Sequence, residues 1–420
     1  MTSEVSSSAV PADSSLLQQR PFVLFWLARL AATMGYHMLA VIIGWKVYEL
    51  TNSAFDLGLV GLIQFMPAVV LTLFIGHAAD RYDRRFIVRS AQAVHAIAAV
   101  AITAALLLNA LTRELLFGAV FMIACARSFE MPTAHSLAPT LVPPALVPRA
   151  VAAWTSANQV AVICGPALGG LLYTLSPTLV SVLCVLFFAT SITLIGFVHA
   201  RGPAAQREPP TAASVLAGVE FIWSRRRLLG VISLDLVVVI LGGVTALLPI
   251  YARDILAVGP VGLGLLRSAP AVGALVTSII LAHHPIERHI GRRMFGVVAI
   301  YGIATMTFAL SPWFPLSLLA LVALGASDAV SVVIRFSLVQ IETPDDKRGR
   351  VSAVNYLFVG SSNTLGEFES GAVAAWLGAI TSAFIGGLGS LLVAGIWMVL
   401  FPELRRVDRF EPADEKQEAT

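Results

Sequence analysis

GHAADRYDRRFIV, residues 76–88, sets five charged side chains between Asp80 and Arg85, with long apolar runs on both sides. Working outward, apolar runs of roughly 20 residues recur from end to end, the length a helix needs to cross a hydrocarbon core about 30 Å thick. Composition agrees: 57% of the 420 residues are hydrophobic, 13% are charged and mean hydropathy is +0.82, more apolar surface than a soluble domain of this size can bury. Twelve spans are expected, at 21–48, 54–78, 86–109, 114–140, 149–174, 178–199, 228–252, 261–283, 294–311, 314–340, 350–376 and 379–401. The charged stretch is then a loop between the second and third.

The first 20 residues are Ser-rich and lack a basic segment followed by an apolar one, so no cleaved signal peptide is indicated. With the N-terminus in the cytoplasm, 21 of the 28 Lys and Arg residues fall on that side, three (Lys46, Arg113, Arg253) on the other and four (Arg29, Arg127, Arg267, Arg335) within spans. That bias predicts cytoplasmic termini in a multi-pass inner (plasma) membrane protein. It also reads the net charge of +3 as topology, with no nucleic-acid partner. Cys125, Cys164 and Cys184 lie in separate spans without ligand spacing and read as small packing residues.

The spans divide six and six. Residues 1–20 read as a disordered cytoplasmic N-terminus, 21–199 as an N-terminal bundle and 200–227 as a cytoplasmic linker, Pro- and Ala-bearing with a short amphipathic stretch. Residues 228–401 read as a C-terminal bundle and 402–420 as a cytoplasmic tail. An internal repeat supports the division. At an offset of 201, Pro143, Arg149, Ala152, Gly165 and Gly170 fall on Pro344, Arg350, Ala353, Gly366 and Gly371 without a gap. Near an offset of 206, residues Leu57, Gly58 and Leu59 fall on Leu263, Gly264 and Leu265, and residues 283–293 are a worn copy of the opening stretch. Parallel six-helix repeats place a substrate site near mid-membrane between them.

Gly76, Asp80, Arg81, Arg84 and Arg85, with the six-plus-six layout, resemble the signature of the major facilitator superfamily over its whole length. The stretches at 44–62, 165–170 and 348–354 look like its drug:proton antiporter branch, with the enterobactin exporter and macrolide efflux proteins. Asp83 departs from the signature, which usually has glycine there. The resemblance implies an all-α membrane protein of two pseudo-symmetric six-helix bundles, with spans one, four, seven and ten around a central cavity. It further implies proton-coupled efflux of a small amphipathic drug- or siderophore-class compound by alternating access. Import or uniport of a metabolite, or a non-transporting receptor, are the alternatives.

The cavity spans carry Arg29, Arg127, Glu130, Asp235, Asp328 and Arg335. Ionisable side chains at membrane depth are costly and usually pair or face a wet cavity. By the repeat offsets Arg29 matches Asp235 and Arg127 matches Asp328, so the sign swaps between halves. Counting from span ends pairs Arg29 with Glu130, Asp235 with Arg335, and Arg127 with Asp328 across the cavity. These read either as static pairs that fix packing or as a proton device, in which a changing separation of Arg127 and Asp328 becomes proton uptake and release. Glu367 is an alternative proton carrier, and it or Glu369 can also snorkel to the interface.

Tyr36, His37, His135, Asn158, Asn355 and Tyr356 are candidate substrate-lining residues, against the alternative that they pack between helices or face lipid. His283, His284 and His289 stand in a basic loop and do not suggest a metal site. No nucleotide loop or hydrolase motif occurs and the loops are too short for a catalytic domain, so no enzyme and no cofactor are expected. The partners expected are a small-molecule substrate, protons and the bilayer, with a monomeric chain. Asp80, beside Gly76, Arg81, Arg84 and Arg85, reads as a cytoplasmic gate facing the N-terminal end of span eleven, or else as part of a purely topological anchor.

Overall fold

The computed structural model describes residues 16–199 and 212–410, and within them all side chains but those of residues 72–81, 212–215, 345–346, 353 and 356–357. Twelve long helical spans run through it. They are span one (Arg20–Thr51), two (Ala54–Arg81), three (Arg84–Leu107), four (Arg113–Leu137), five (Val147–Tyr173) and six (Pro177–Gly196). Then come span seven, which begins at Arg226–Leu241, eight (Gly259–His283), nine (Ile290–Leu310), ten (Phe314–Glu342), eleven (Asp345–Leu377) and twelve (Ala379–Leu400). Apart from the end of span seven, each lies within a few residues of its expected limits. Ten of them are long and apolar enough to cross a membrane. Spans five and eleven carry more polar and small residues, and each packs against a span of the other half, five on eight and eleven on two.

The opening stretch behaves as a helix boundary. Span two continues to Arg81, and Asp83 is the N-cap of span three, its carboxylate accepting the Arg85 backbone N–H at 2.8 Å. The Arg85 guanidinium also grips that carboxylate, holding it below the usual carboxylate range, so the cap stays charged at neutral pH. Asp83 has φ −57°, so the residue that departs from the signature needs no glycine and caps the helix. Arg84 and Arg85 donate to the carbonyls of Ser136 (3.2 Å) and Val198 (3.0 Å), pinning the ends of spans four and six within one half. The side chains of Gly76, Asp80 and Arg81 lie outside those described.

Span seven, read as continuous over 228–252, is broken. Its α-helix ends at Leu241, and after Gly242 and Gly243 the chain proceeds as a 3-10 turn (Val244–Leu247), a short helical turn (Leu248–Ile250) and a π-helical turn (Tyr251–Ile255). The two glycines let span eleven approach so closely that a β-carbon on Gly243 would meet the Gly366 carbonyl oxygen. Tyr301 Oη donates to the Gly242 carbonyl at 3.2 Å, satisfying a group that the break releases.

The halves meet along two seams. A β-carbon on Gly58 of span two would stand 3.0 Å from the Gly371 α-carbon of span eleven, and one on Gly170 of span five 3.0 Å from the Gly264 α-carbon of span eight. These four glycines are the repeat mates, paired crosswise, as two pseudo-symmetric close approaches require. Among the described residues, every hydrogen bond between the halves lies from mid-depth to the end remote from the chain termini.

Two flanking segments are structured. Residues of the expected linker form a helix, Ala212–Ser224, whose Phe221 and Ile222 are buried with Val351 and Val354 of span eleven. Residues 402–410, read as the start of a tail, turn back on span nine, where the Gly291 N–H donates to the Val407 carbonyl at 2.9 Å.

Candidate functional site

A cavity of about 240 Å³ lies between the halves. Span one contributes Tyr36 and His37, span two Gln64, and the broken segment of span seven Thr245 and Ala246. Arg267 of span eight and Glu367 of span eleven supply its charge, while Leu39, Ile43, Leu57 and Ile123 are part of its apolar wall. Tyr36 Oη donates to Gln64 Oε1 at 3.4 Å, and the Tyr36 and His37 rings meet edge to face at 5.2 Å. A β-carbon on Gly165 would stand 2.8 Å from His37 Cβ, so that glycine lets span five press the His37 side chain into place. An apolar pocket with a few convergent polar groups suits a small organic ligand.

Glu367 was expected outward of mid-depth and able to snorkel. The structure turns it into the cavity instead, within Coulombic reach of Arg267. Neither Arg267 nor Gln64 was singled out from the sequence, because both belong to spans outside the four that the resemblance assigned to the cavity.

The structure brings Arg29 and Glu130 together as a buried ion pair, and likewise Asp235 and Arg335. Around the first pair, Gln92 Nε2 donates to Glu130 Oε1 at 2.6 Å and His95 Nδ1 stands 3.4 Å from Glu130 Oε2. The contribution of span three to this network had no signal in the sequence beyond a polar pair, Gln92 and His95, spaced three apart.

Arg127 and Asp328, expected to face each other, do not pair. Arg127 lies with its guanidinium carbon 4.0 Å from the centroid of the Tyr36 ring. Asp328 has no hydrogen bond or ion pair among the described residues, and it lies within Coulombic reach of Tyr301, the residue that braces the break in span seven. Matched depth in two repeats places groups at one level, but helix rotation decides what each one faces.

Of the other candidates, Tyr36 and His37 line the cavity. His135 stacks on Trp154 with centroids 4.7 Å apart, and neither His135 nor Asn158 nor Asn355 is among the cavity residues. Asn355 is buried with neither amide atom hydrogen-bonded among the described residues. The Tyr356 side chain lies outside those described.

At the end remote from the termini, a cluster spans the halves. Tyr48 Oη donates to the Asp254 carboxylate, while Arg253 donates to the Tyr48 carbonyl at 3.3 Å and lies 5.3 Å from its ring centroid. Both charged residues stand on the π-helical turn, a form often kept at functional sites. Replacing Tyr48 with phenylalanine is expected to weaken this closure by about 1 kcal/mol, the usual worth of one such bond. Cysteine accessibility in the cavity, measured from both membrane faces, would register the shift; an unchanged ratio would show that the cluster does not hold the closure.

A family model described as the Major Facilitator Superfamily matches residues 25–367. The enterobactin exporter EntS of Citrobacter koseri is 26% identical over 416 residues, covering 96% of this chain and 97% of that protein. The multidrug efflux pump Tap of Mycolicibacterium fortuitum is 26% identical over 406 residues, covering 92% and 97%. Among solved structures, a bacterial homologue of the human lysosomal transporter Spinster, inward-facing and unoccupied, superposes with a TM-score of 0.73 at 13% identity, covering 95% of this chain and all of that one.

Proposed function

We propose that this chain, which belongs to the major facilitator superfamily, exports a small amphipathic organic compound across the inner membrane in exchange for protons. It is a multi-pass membrane transporter and not an enzyme. The observation that carries the proposal is the cavity between the halves, with apolar walls and with Tyr36, His37, Arg267 and Glu367 converging on it. The direction and compound class draw support from the relatives that are named as exporter and efflux pump.

If the Lys and Arg bias sets orientation, the closed end, with Tyr48, Arg253 and Asp254, faces outward. Alternating access then requires the seams at Gly58 with Gly371 and at Gly170 with Gly264 to part as the opposite end closes. Asp328 is the proposed proton site. Its neighbour Tyr301 holds the Gly242 carbonyl at the break in span seven, and the segment after the break both lines the cavity and ends in the Asp254 contact. One element thus links a proton at Asp328 to the substrate and to the closure.

The test is accumulation of siderophores, macrolides and dyes in a deletion host, with and without a protonophore. Deletion is expected to raise retention of at least one class, and the protonophore to raise it equally in the parent. Lower uptake on deletion would identify an importer, and indifference to the protonophore would remove the proton.

A further inference from the structure

We infer that the cavity is built for an organic anion, with Arg127 as the group that receives the negative charge. The inference rests on the proposed function only in taking the cavity as the substrate site.

In the interior, Arg29 is matched by Glu130 and Arg335 by Asp235, in buried ion pairs. Glu367 is the carboxylate within reach of Arg267. Asp328 forms no ion pair with any of these groups among the described residues and is not among the cavity residues. Arg127 is left with no carboxylate within ion-pair distance among the described residues, and its guanidinium lies over the Tyr36 ring. Glu130 stands one turn further along the same helix, but its oxygens are engaged by Arg29 and Gln92 and face His95. The cavity wall carries Arg267 and Glu367, and Arg127, resting on the wall residue Tyr36, adds a second guanidinium beside it.

The placement is that of a binding group. Ile123, one turn before Arg127 on the same helical face, lines the cavity, as does the Tyr36 ring on which Arg127 rests. Arg127 thus stands one turn beyond the cavity lining, on the side of the chain termini. His37 lies within Coulombic reach of both Arg127 and Arg267, so the positive field converges there. Arg267 has its Nε buried and without a hydrogen-bond partner. An unmatched guanidinium in a low-dielectric setting is costly, and an anionic ligand removes that cost on binding. Stacked on Tyr36, the planar fork keeps its N–H groups free for a carboxylate, sulfonate or acidic phenolate oxygen. The apolar wall of Leu39, Ile43, Leu57 and Ile123 takes the rest of the molecule.

Two probes of one shape and opposite fixed charge test this: 2-naphthalenesulfonate and (2-naphthyl)trimethylammonium, titrated calorimetrically into the purified full chain in nanodiscs. The sulfonate should bind at least about tenfold more tightly. Arg127→Gln should erase that preference while leaving ammonium binding unchanged or stronger, Arg127→Lys should keep it, and Glu367→Gln should tighten the sulfonate. Equal or tighter binding of the ammonium, no binding of the sulfonate to the unaltered chain, or equal loss of both probes in a monodisperse Arg127→Gln would overturn the inference. The efflux reading fails separately: retention assays can refute export while the charge preference stands, and the preference can vanish while export is intact.

Discussion

Replacing Asp328 with asparagine is expected to lower pH-gradient-driven transport in proteoliposomes at least about tenfold, within the 5- to 150-fold range of ordinary coupling free energies. Asparagine keeps the size of the side chain and removes the proton exchange. Binding of ligand at the cavity should survive, because Asp328 is not among the cavity residues. Substrate exchange without a gradient should survive for the same reason. The physical basis is the position of the group on span ten. It is a carboxylate without an ion pair among the described residues, beside Tyr301, which braces the break in span seven. Retention of full gradient dependence in Asp328→Asn would end the proposed role and would turn attention to Glu367, which lines the cavity.

The second large effect concerns folding. Glu130→Ala should cost about 3–5 kcal/mol, the usual penalty for leaving one member of a buried ion pair without its partner. Arg29 is 6% exposed and Glu130 3%, and the loss would strand the Gln92 amide as well as the guanidinium. A large fall in monodisperse yield and in the thermal unfolding midpoint in detergent should follow. The double variant Arg29→Met with Glu130→Leu should recover most of that loss, since a buried pair often gives way to apolar residues of similar volume at little cost. If Glu130→Ala unfolds at the parental midpoint, the pair does not hold the N-terminal half together. A double variant as unstable as the single one would show that Gln92 and His95 depend on Glu130 as much as Arg29 does.

These expectations differ in how far the sequence already carried them. The pairs Arg29 with Glu130 and Asp235 with Arg335 were reached by counting depth along the spans, and the structure brings both together. The same counting put Arg127 opposite Asp328, which the structure does not. Position along a helix fixes height at about 1.5 Å per residue, whereas the direction in which a side chain points depends on the rotation of the helix against its neighbours. Arg127 rests on the Tyr36 ring of its own half, and Asp328 forms no ion pair among the described residues. Glu367 shows the same limit: its depth suggested snorkelling, and the rotation of span eleven, set by Gly366 packing on span seven, aims it at Arg267.

The sequence by itself determined that the chain is a membrane protein of twelve spans in two repeated halves, because apolar length, charge placement and repeat spacing are linear properties. It also marked Gly58, Gly170, Gly264 and Gly371 as mates. Only the tertiary structure decided that these mates meet crosswise at two seams, that span seven breaks at Gly242 and Gly243, and that Tyr48, Arg253 and Asp254 close one end. It alone laid Arg127 over the Tyr36 ring, with no ion pair among the described residues. Those outcomes depend on which helix faces which, a matter of close packing between residues distant in sequence, and no local pattern of residues encodes it.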